Sequence, residues 1–317
     1  MPRLCASLRR STVRNAFIRE LTSIAAADPD TILITGDLGF GVLTEFSCHF
    51  PRQYINAGVA EQNMTALAVG LALEGKIVYT YSIANFPTLR CLEQIRNDAC
   101  YHRANVKIVS VGGGFAYGPL GISHHATEDL TIMRALPNLT VFAPGDPSEV
   151  QLATRAAHST LGTCYLRLGR GGEPMVHESL PTFIVDRAIP LYVEGEVGLL
   201  STGGILAVAV ATRKQLVDRG IPTALYSMPT LKPLDELLIR ELARTCRLIV
   251  TIEEHTVLGG LGGAVAEILA ETHPRCARLL RCGLPDQFSS IVGTQDYLRS
   301  SYGIDPASLS ERITAQL

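Results

Sequence analysis

Two sets of side chains dominate the chemistry this sequence could perform: a carboxylate at Glu61 and a histidine pair at His124 and His125. Glu61 opens AEQNMTALAVGLALEG, a predicted helix that is almost wholly apolar from Met64 to Leu73. A helix apolar all round is expected to be buried, which puts its first-turn carboxylate in or beside a buried cleft. Burial raises a carboxylate's pKa, and a neutral carboxyl can donate a hydrogen bond. The alternative is a carboxylate that interacts with its own helix N-terminus, where negative charge is favoured. The histidines sit in GPLGISHHATEDL, a Gly/Pro-rich loop before a helix. Such loops lie beyond strand ends, where α/β sheets gather ligands. Adjacent histidines without a nearby Cys or His suit zinc poorly. They read either as proton-transfer groups or as satisfied surface side chains.

Glycine clusters are less specific. GGLGG at 259–263 precedes a helix, yet Val265 breaks the GxGxxG pattern, and Gly203-Gly204 also opens a helix. Either could receive a phosphate at a helix N-terminus, or simply allow helix to pack closely on strand. No GxxxxGK[ST] occurs, so a dinucleotide- or nucleotide-binding reading has little support.

The elements that must position these groups alternate along the chain. Strand candidates are TILIT (31–35), KIVYTYS (76–82), VKIVSV (106–111), LTVFA (139–143) and CYLRL (164–168), with helical patterns between them. In FPTLRCLEQIRNDACYHR, Leu89, Leu92, Ile95 and Ala99 fall on one predicted helical face. Such alternation predicts an α/β fold with a parallel sheet covered on both faces. Gly, Pro and charges interrupt the rhythm around 171–196, after which VGLLS, IPTALYS, RLIVTIEE and CARLLRC begin a second series. Two doubly wound domains are expected, 1–172 and 195–317, joined by a linker at 173–194.

Composition narrows the class. The 317 residues are 47% hydrophobic and 18% charged, with a formal charge of −2, which excludes disorder and gives no footprint for nucleic acid or an anionic membrane. No apolar run is long enough for a membrane span. Eight cysteines without zinc spacing read as thiols of a reducing compartment, so a cytoplasmic protein is expected. The basic start, MPRLCASLRR, lacks the apolar core of a secretory signal.

Taken together, GVAEQNM, EQIRND, GPLGISHHATEDL, MRALPNLTVFAPGD and YLRLGR resemble the transketolase family in order, from about residue 10 to 172. The stretch from LLSTGGILAVAVA through TIEEHTVLGGLGGAV is similar to the family's C-terminal domain. Full-length members also carry an N-terminal domain with a Gly-Asp-Gly…Asn signature for magnesium and the cofactor's diphosphate. Gly36-Asp37-Leu38 and Gly145-Asp146-Pro147 do not fit it. The chain therefore resembles the C-terminal subunit of a split, two-component transketolase.

That resemblance implies thiamine diphosphate and Mg2+ as cofactors, both held mainly by a complementary subunit, in an α2β2-like assembly acting on sugars or sugar phosphates. It implies that Glu61 binds the aminopyrimidine nitrogen and sets the ring's imino tautomer. Phe86 is the nearest match to the ring that stacks on the pyrimidine, and Asp37 is expected on the cofactor side. His124 matches a histidine that contacts substrate oxygens and moves protons, while Arg14 and Arg167 match arginines that grip a terminal phosphate. A salt bridge at a strand end is the other reading of Arg167. Three departures stand out: Leu120 where many members have Asp, Gly41 near a phosphate-contacting Ser, and Gly112 near a phosphate-contacting His. Each missing hydrogen bond to a charged phosphate forfeits about 1.5–3 kcal/mol. The expected substrate therefore differs from ordinary pentose phosphates, with an unphosphorylated or unusual acceptor among the options. Alternative functions are a decarboxylating relative, resembling the 2-oxo-acid dehydrogenase beta chain or deoxyxylulose-phosphate synthase, and a non-catalytic interaction subunit. His255 is expected at an interface or a cap.

Overall fold

The computed structural model describes residues 12–274 and 276–317; the basic start and Cys5 lie outside them. Its strands follow the β-branched runs. The first sheet contains β1 (Thr31–Thr35), β2 (Tyr54–Asn56), β3 (Ile77–Ile83), β4 (Val106–Val111), β5 (Leu139–Phe142) and β6 (Thr163–Leu168). The second contains β7 (Ile189–Tyr192), β8 (Val197–Thr202), β9 (Thr223–Ser227), β11 (Leu248–Thr256) and β12 (Arg278–Leu284). Strand β10 (Thr230–Lys232), although it follows β9 in the chain, pairs antiparallel with β5 and so extends the first sheet. The orders are β10-β5-β6-β4-β3-β1-β2 and β12-β11-β8-β9-β7. Apart from β10 and the antiparallel edge strand β7, every pairing is parallel. Central strands β1, β4, β6, β8 and β9 are buried along their whole length, as sheets covered on both faces require. Strand β7 falls inside the 173–194 segment expected as linker.

The helices are α1 (Val13–Ala27), α2 (Thr44–His49), α3 (Glu61–Leu73), α4 (Leu92–Gln94), α5 (Asp129–Ala135), α6 (Pro147–Ser159), α7 (Leu206–Asp218), α8 (Glu236–Thr245), α9 (Leu261–Ala270), α10 (Gln295–Ser301) and α11 (Pro306–Thr314). Several start where the sequence supplies an oxygen acceptor for the free N–H groups. Asp146 caps α6 and Asp305 caps α11, each followed by Pro at the first helical position. None of the described helices is long and apolar enough to cross a membrane.

The helix expected across FPTLRCLEQIRNDACYHR takes another form. A 3-10 turn at Leu89–Cys91 leads into α4, which widens into a π-helical turn at Ile95–Cys100. Each change of turn rotates the side chains relative to a uniform helix. Cys91, Ile95, Ala99 and Cys100 are buried as a result, while Leu89 faces outward.

Three apolar clusters hold the fold. One, built from Phe17, Leu21, Tyr79 and Leu166, fills the α1/α6 face of the first sheet. Another, with Leu199, Ala209, Leu248 and Ile313, fills the α7/α11 face of the second. The third runs between the sheets, joining Met64, Ile95, Ile108 and Leu130 to Leu231, Ile239, Ile249 and Val265. The two halves therefore share one continuous apolar core.

Candidate active site

The carboxyl ends of β4, β3, β1 and β2 lie side by side, and the segments leaving them carry four of the six expected site residues: His124, Phe86, Asp37 and Glu61. Glu61, the first residue of α3, is only 3% exposed. Its carboxylate takes its partner from another element: Arg90 Nη1 lies 2.8 Å from Glu61 Oε2. The Arg90 side chain is 49% exposed, and its guanidinium lies over the Phe86 ring, 4.8 Å from the centroid. A flat cation thus rests on an aromatic face while donating to a buried carboxylate.

From there the side chains continue in a line. The Phe86 and His124 rings meet edge to face at 5.3 Å, and the His124 and Tyr117 rings are 6.0 Å apart. The Arg170 guanidinium lies 5.0 Å from the centroid of Tyr117. Arg14, at the start of α1, is close enough to favour ionisation of both Tyr81 and Tyr117. Its Nε is buried without a hydrogen-bond partner. Among the described residues, neither Arg14 nor Arg170 forms an ion pair. Both guanidinium groups thus lie near Tyr117 without an ion-pair partner among the described residues, and a guanidinium fork suits oxyanions chemically.

The histidine loop is pinned from within. His125 is buried and its Nε2 lies 3.0 Å from Gly118 O, while Asn85 Nδ2 donates to His125 O at 2.7 Å. His124 remains accessible, with Nδ1 3.0 Å from Ser123 Oγ. Burial and then the neighbouring His125 lower its pKa, so its imidazole is neutral at pH 7.

Other expected residues stand apart from this line. Arg167 is 4% exposed, its Nε 2.8 Å from Asp129 Oδ2. Its Nη2 donates to Ala126 O and Glu254 O, spanning the two halves. Asp37 adopts a left-handed conformation (φ 57°), held by reciprocal hydrogen bonds with Asn56. Leu120 is exposed, and a Cβ on Gly41 would meet nothing within 4 Å. His255 is fully buried: Nδ1 lies 2.8 Å from Thr256 O, and Nε2 accepts the Thr131 N–H at the start of α5. Burial pushes its pKa down to about 4, so it stays a neutral cap between the halves.

Arg90, Tyr117 and Arg170 belong to the line but do not emerge from the sequence reading. Arg170 had a readable signal: β6 ends at Leu168, so Arg170, not Arg167, lies beyond the strand end. Among the described residues, Asp146, Glu149 and His177 form the one His/carboxylate group compact enough to hold a metal ion. All four of its carboxylate oxygens already accept hydrogen bonds, from the N–H groups of Glu149, Val176, His177 and Gly145 and from the His177 ring. The group therefore acts as a latch on the segment after β6.

Comparison with known proteins matches both halves. The family model described as "Transketolase, pyrimidine binding domain" matches residues 9–173, and "Transketolase, C-terminal domain" matches residues 191–309. One of the subunits of the apulose-4-phosphate transketolase of Actinobacillus succinogenes is 30% identical, covering 93% of this chain and 95% of that protein. The 6-deoxy-6-sulfo-D-fructose transketolase subunit SqwH of Clostridium sp. (strain MSTE9) is 33% identical over 94% of this chain and 92% of its own length. A solved structure described as a split gene transketolase, inactive beta4 tetramer, is 35% identical with a TM-score of 0.88, covering 96% of this chain and 97% of its own. On matches that run through both halves and span nearly the full length of such subunits, the chain belongs to the transketolase family.

Proposed function

We propose that this chain supplies the pyrimidine side of a thiamine-diphosphate site in a two-component enzyme that moves a two-carbon ketol unit from a ketose to an aldehyde. The observation that carries this reading is the Glu61–Arg90–Phe86 contact. A buried carboxylate receives N–H from a flat cation stacked on an aromatic ring, and a protonated aminopyrimidine has the same charge, shape and donor. The residues present therefore fit the group. When bound, thiamine diphosphate supplies the nucleophilic carbon that carries the two-carbon unit.

Glu61 would hold the aminopyrimidine by accepting from its ring nitrogen, which would favour the imino tautomer, Phe86 would offer its face, and Arg90 would have to give up its contacts with both. His124, neutral near pH 7, exchanges protons with substrate oxygens. Arg14 and Arg170 hold an anionic end of the sugar. Arg167 acts through the Ala126 carbonyl to position the histidine loop, and Asp37 holds the Gly36 turn against Glu61. Diphosphate and Mg2+ are assigned to the complementary subunit.

Support for such a partner comes from α3. Its Leu67, Gly70 and Leu73 are exposed here, although the helix is apolar all round, and Val59 beside it is 76% exposed. An apolar helix face of this kind is an interface left uncovered in the single chain. An α2β2 assembly with two-fold symmetry would bury it. The free thiols of the described cysteines suit a cytoplasmic enzyme.

The test is reconstitution with the diphosphate-binding subunit, thiamine diphosphate and Mg2+, using ketoses and 2-oxo acids as donors. Ketose-dependent turnover is expected, and Glu61→Gln should lower kcat by about 10²-fold or more while leaving assembly intact. Turnover of 2-oxo acids alone, with release of carbon dioxide, would replace this reading with the decarboxylating one.

A further inference from the structure

The histidine loop is shaped by residues from the other half of the chain. Glu254, on β11 and 3% exposed, reaches across from the second sheet to the backbone of this loop. Its Oε1 accepts the Phe115 N–H at 2.5 Å, and Gln295 and Arg299 of α10 donate to the same carboxylate. Two residues further along β11, the Thr256 N–H donates to Thr127 O at 2.8 Å. One strand thus grips the loop near both of its ends. Two glycines show how close the approach is. A Cβ on Gly114 would overlap Glu254 Oε1, and one on Gly118 would overlap the carbonyl oxygen of Gly293. The grip reaches the histidines through one ring. Phe115, itself buried, stacks on Tyr302 of the second half at 5.4 Å and meets the His125 ring edge to face at 5.0 Å. His125 adjoins His124 and is tied in turn to Gly118 O.

We infer that Glu254 is a positioning residue for the reaction: by holding the Phe115 N–H it sets the Phe115 ring against His125, and so sets where the His124 imidazole stands. A carboxylate that served only to join the halves would need nothing beyond a cation such as Arg299. This one gives an oxygen to a backbone N–H inside the loop that carries His124. The residues of the site line all belong to the first half, and the second half acts on them through this grip.

The inference rests on the role given above to His124, so one measurement reads turnover and another reads the loop alone. In the reconstituted enzyme with a ketose donor, Glu254→Ala should lower kcat by about tenfold or more, while half-saturation by thiamine diphosphate stays unchanged. The same change made in a His124→Ala background should cost little further, because the group it positions is already gone. A purely structural role would cost both backgrounds alike. Glu254→Ala leaves Arg299 without its buried partner and may fail to fold. Phe115→Leu keeps the carboxylate paired with Gln295 and Arg299, removes only the ring, and should give the same pattern. In the full chain without its partner, hydrogen exchange read by mass spectrometry should quicken across residues 113–127 in either variant, with β8 still protected. Quickened loop exchange without ketose turnover would support the hold on the loop and remove the ketol-transfer reading. Equal losses of kcat in both backgrounds, or unchanged loop exchange, would overturn the inference even where ketol transfer is confirmed.

Discussion

Gly112 and Tyr117 show how one residue's absence is set by another's presence. A Gly112→Ala change meets two penalties, a left-handed backbone and a methyl that overlaps the ring atoms of Tyr117. Only the second depends on the ring. A double-mutant cycle with Tyr117→Ala should therefore be non-additive: Gly112→Ala destabilises the wild-type chain by at least about 1 kcal/mol more than it destabilises Tyr117→Ala. Denaturant midpoints of the four proteins check this, and strict additivity would mean that the ring yields freely. The sequence reading singled out Glu61 and His124 from their places at a helix start and in a loop, the family resemblance added Phe86, and the fold sets the three in one line. The reading did not reach Arg90 or Tyr117, since both owe their roles to ring faces and distances that spacing does not encode. Arg167 is instructive in the opposite direction. Its charge drew attention, yet in the fold that charge is matched by buried Asp129 and two carbonyls. A buried cation so completely paired serves the junction between the halves.

Elements show where periodicity succeeds and where it fails. TILIT and VKIVSV became strands at their predicted bounds, because buried parallel strands need continuous β-branched runs. β2 and β10, at three residues each, are too short to carry a periodic signal. The segment after β6 has no regular structure until β7, and specific hydrogen bonds hold it instead. Asp146 Oδ2 accepts the N–H groups of Val176 and His177, and the His177 ring reaches Glu149. Burial alone would lower the His177 pKa, but the hydrogen bond and charge of Glu149, helped by Asp146, outweigh it and raise the value above the ordinary 6.5. The latch therefore contributes fully below the unfolded pKa and is lost as pH rises through the raised folded value. Limited proteolysis should cut near residues 172–178 faster at pH 9 than at pH 6, and His177→Asn should remove that pH dependence. Equal cleavage at both pH values would show that Asp146 alone holds the segment.

At the scale of the whole molecule, α3 makes the sharpest contrast between sequence and single chain. Its all-round apolar character predicted burial, yet Leu73 is 60% exposed. Periodicity reports the environment of a residue in its final assembly, and the sequence of one subunit cannot say which chain provides the cover. Leu73→Lys should therefore weaken association with the complementary subunit or with a second copy, with little effect on the stability of the isolated chain. Sedimentation velocity of mixed subunits reads the first, and thermal unfolding of this chain alone reads the second. Unaltered association would move the interface elsewhere.

The exchange of β10 into the first sheet carries a warning for anyone dividing the chain. β5 would otherwise be an edge, with its N–H and C=O groups free to pair with any passing strand. Residues 230–232 cover it, and Lys232 closes the end of α5 by donating to the carbonyls of Arg134 and Leu136. A fragment stopping near residue 172 keeps all six of its own strands but loses this cover and the α8/α9 side of the shared apolar core. Expressed alone, it would be prone to stack into aggregates through β5, and its insolubility would be mistaken for misfolding of the active-site half. The family models match the chain as two halves, and the β10 exchange and the shared core tie those halves together.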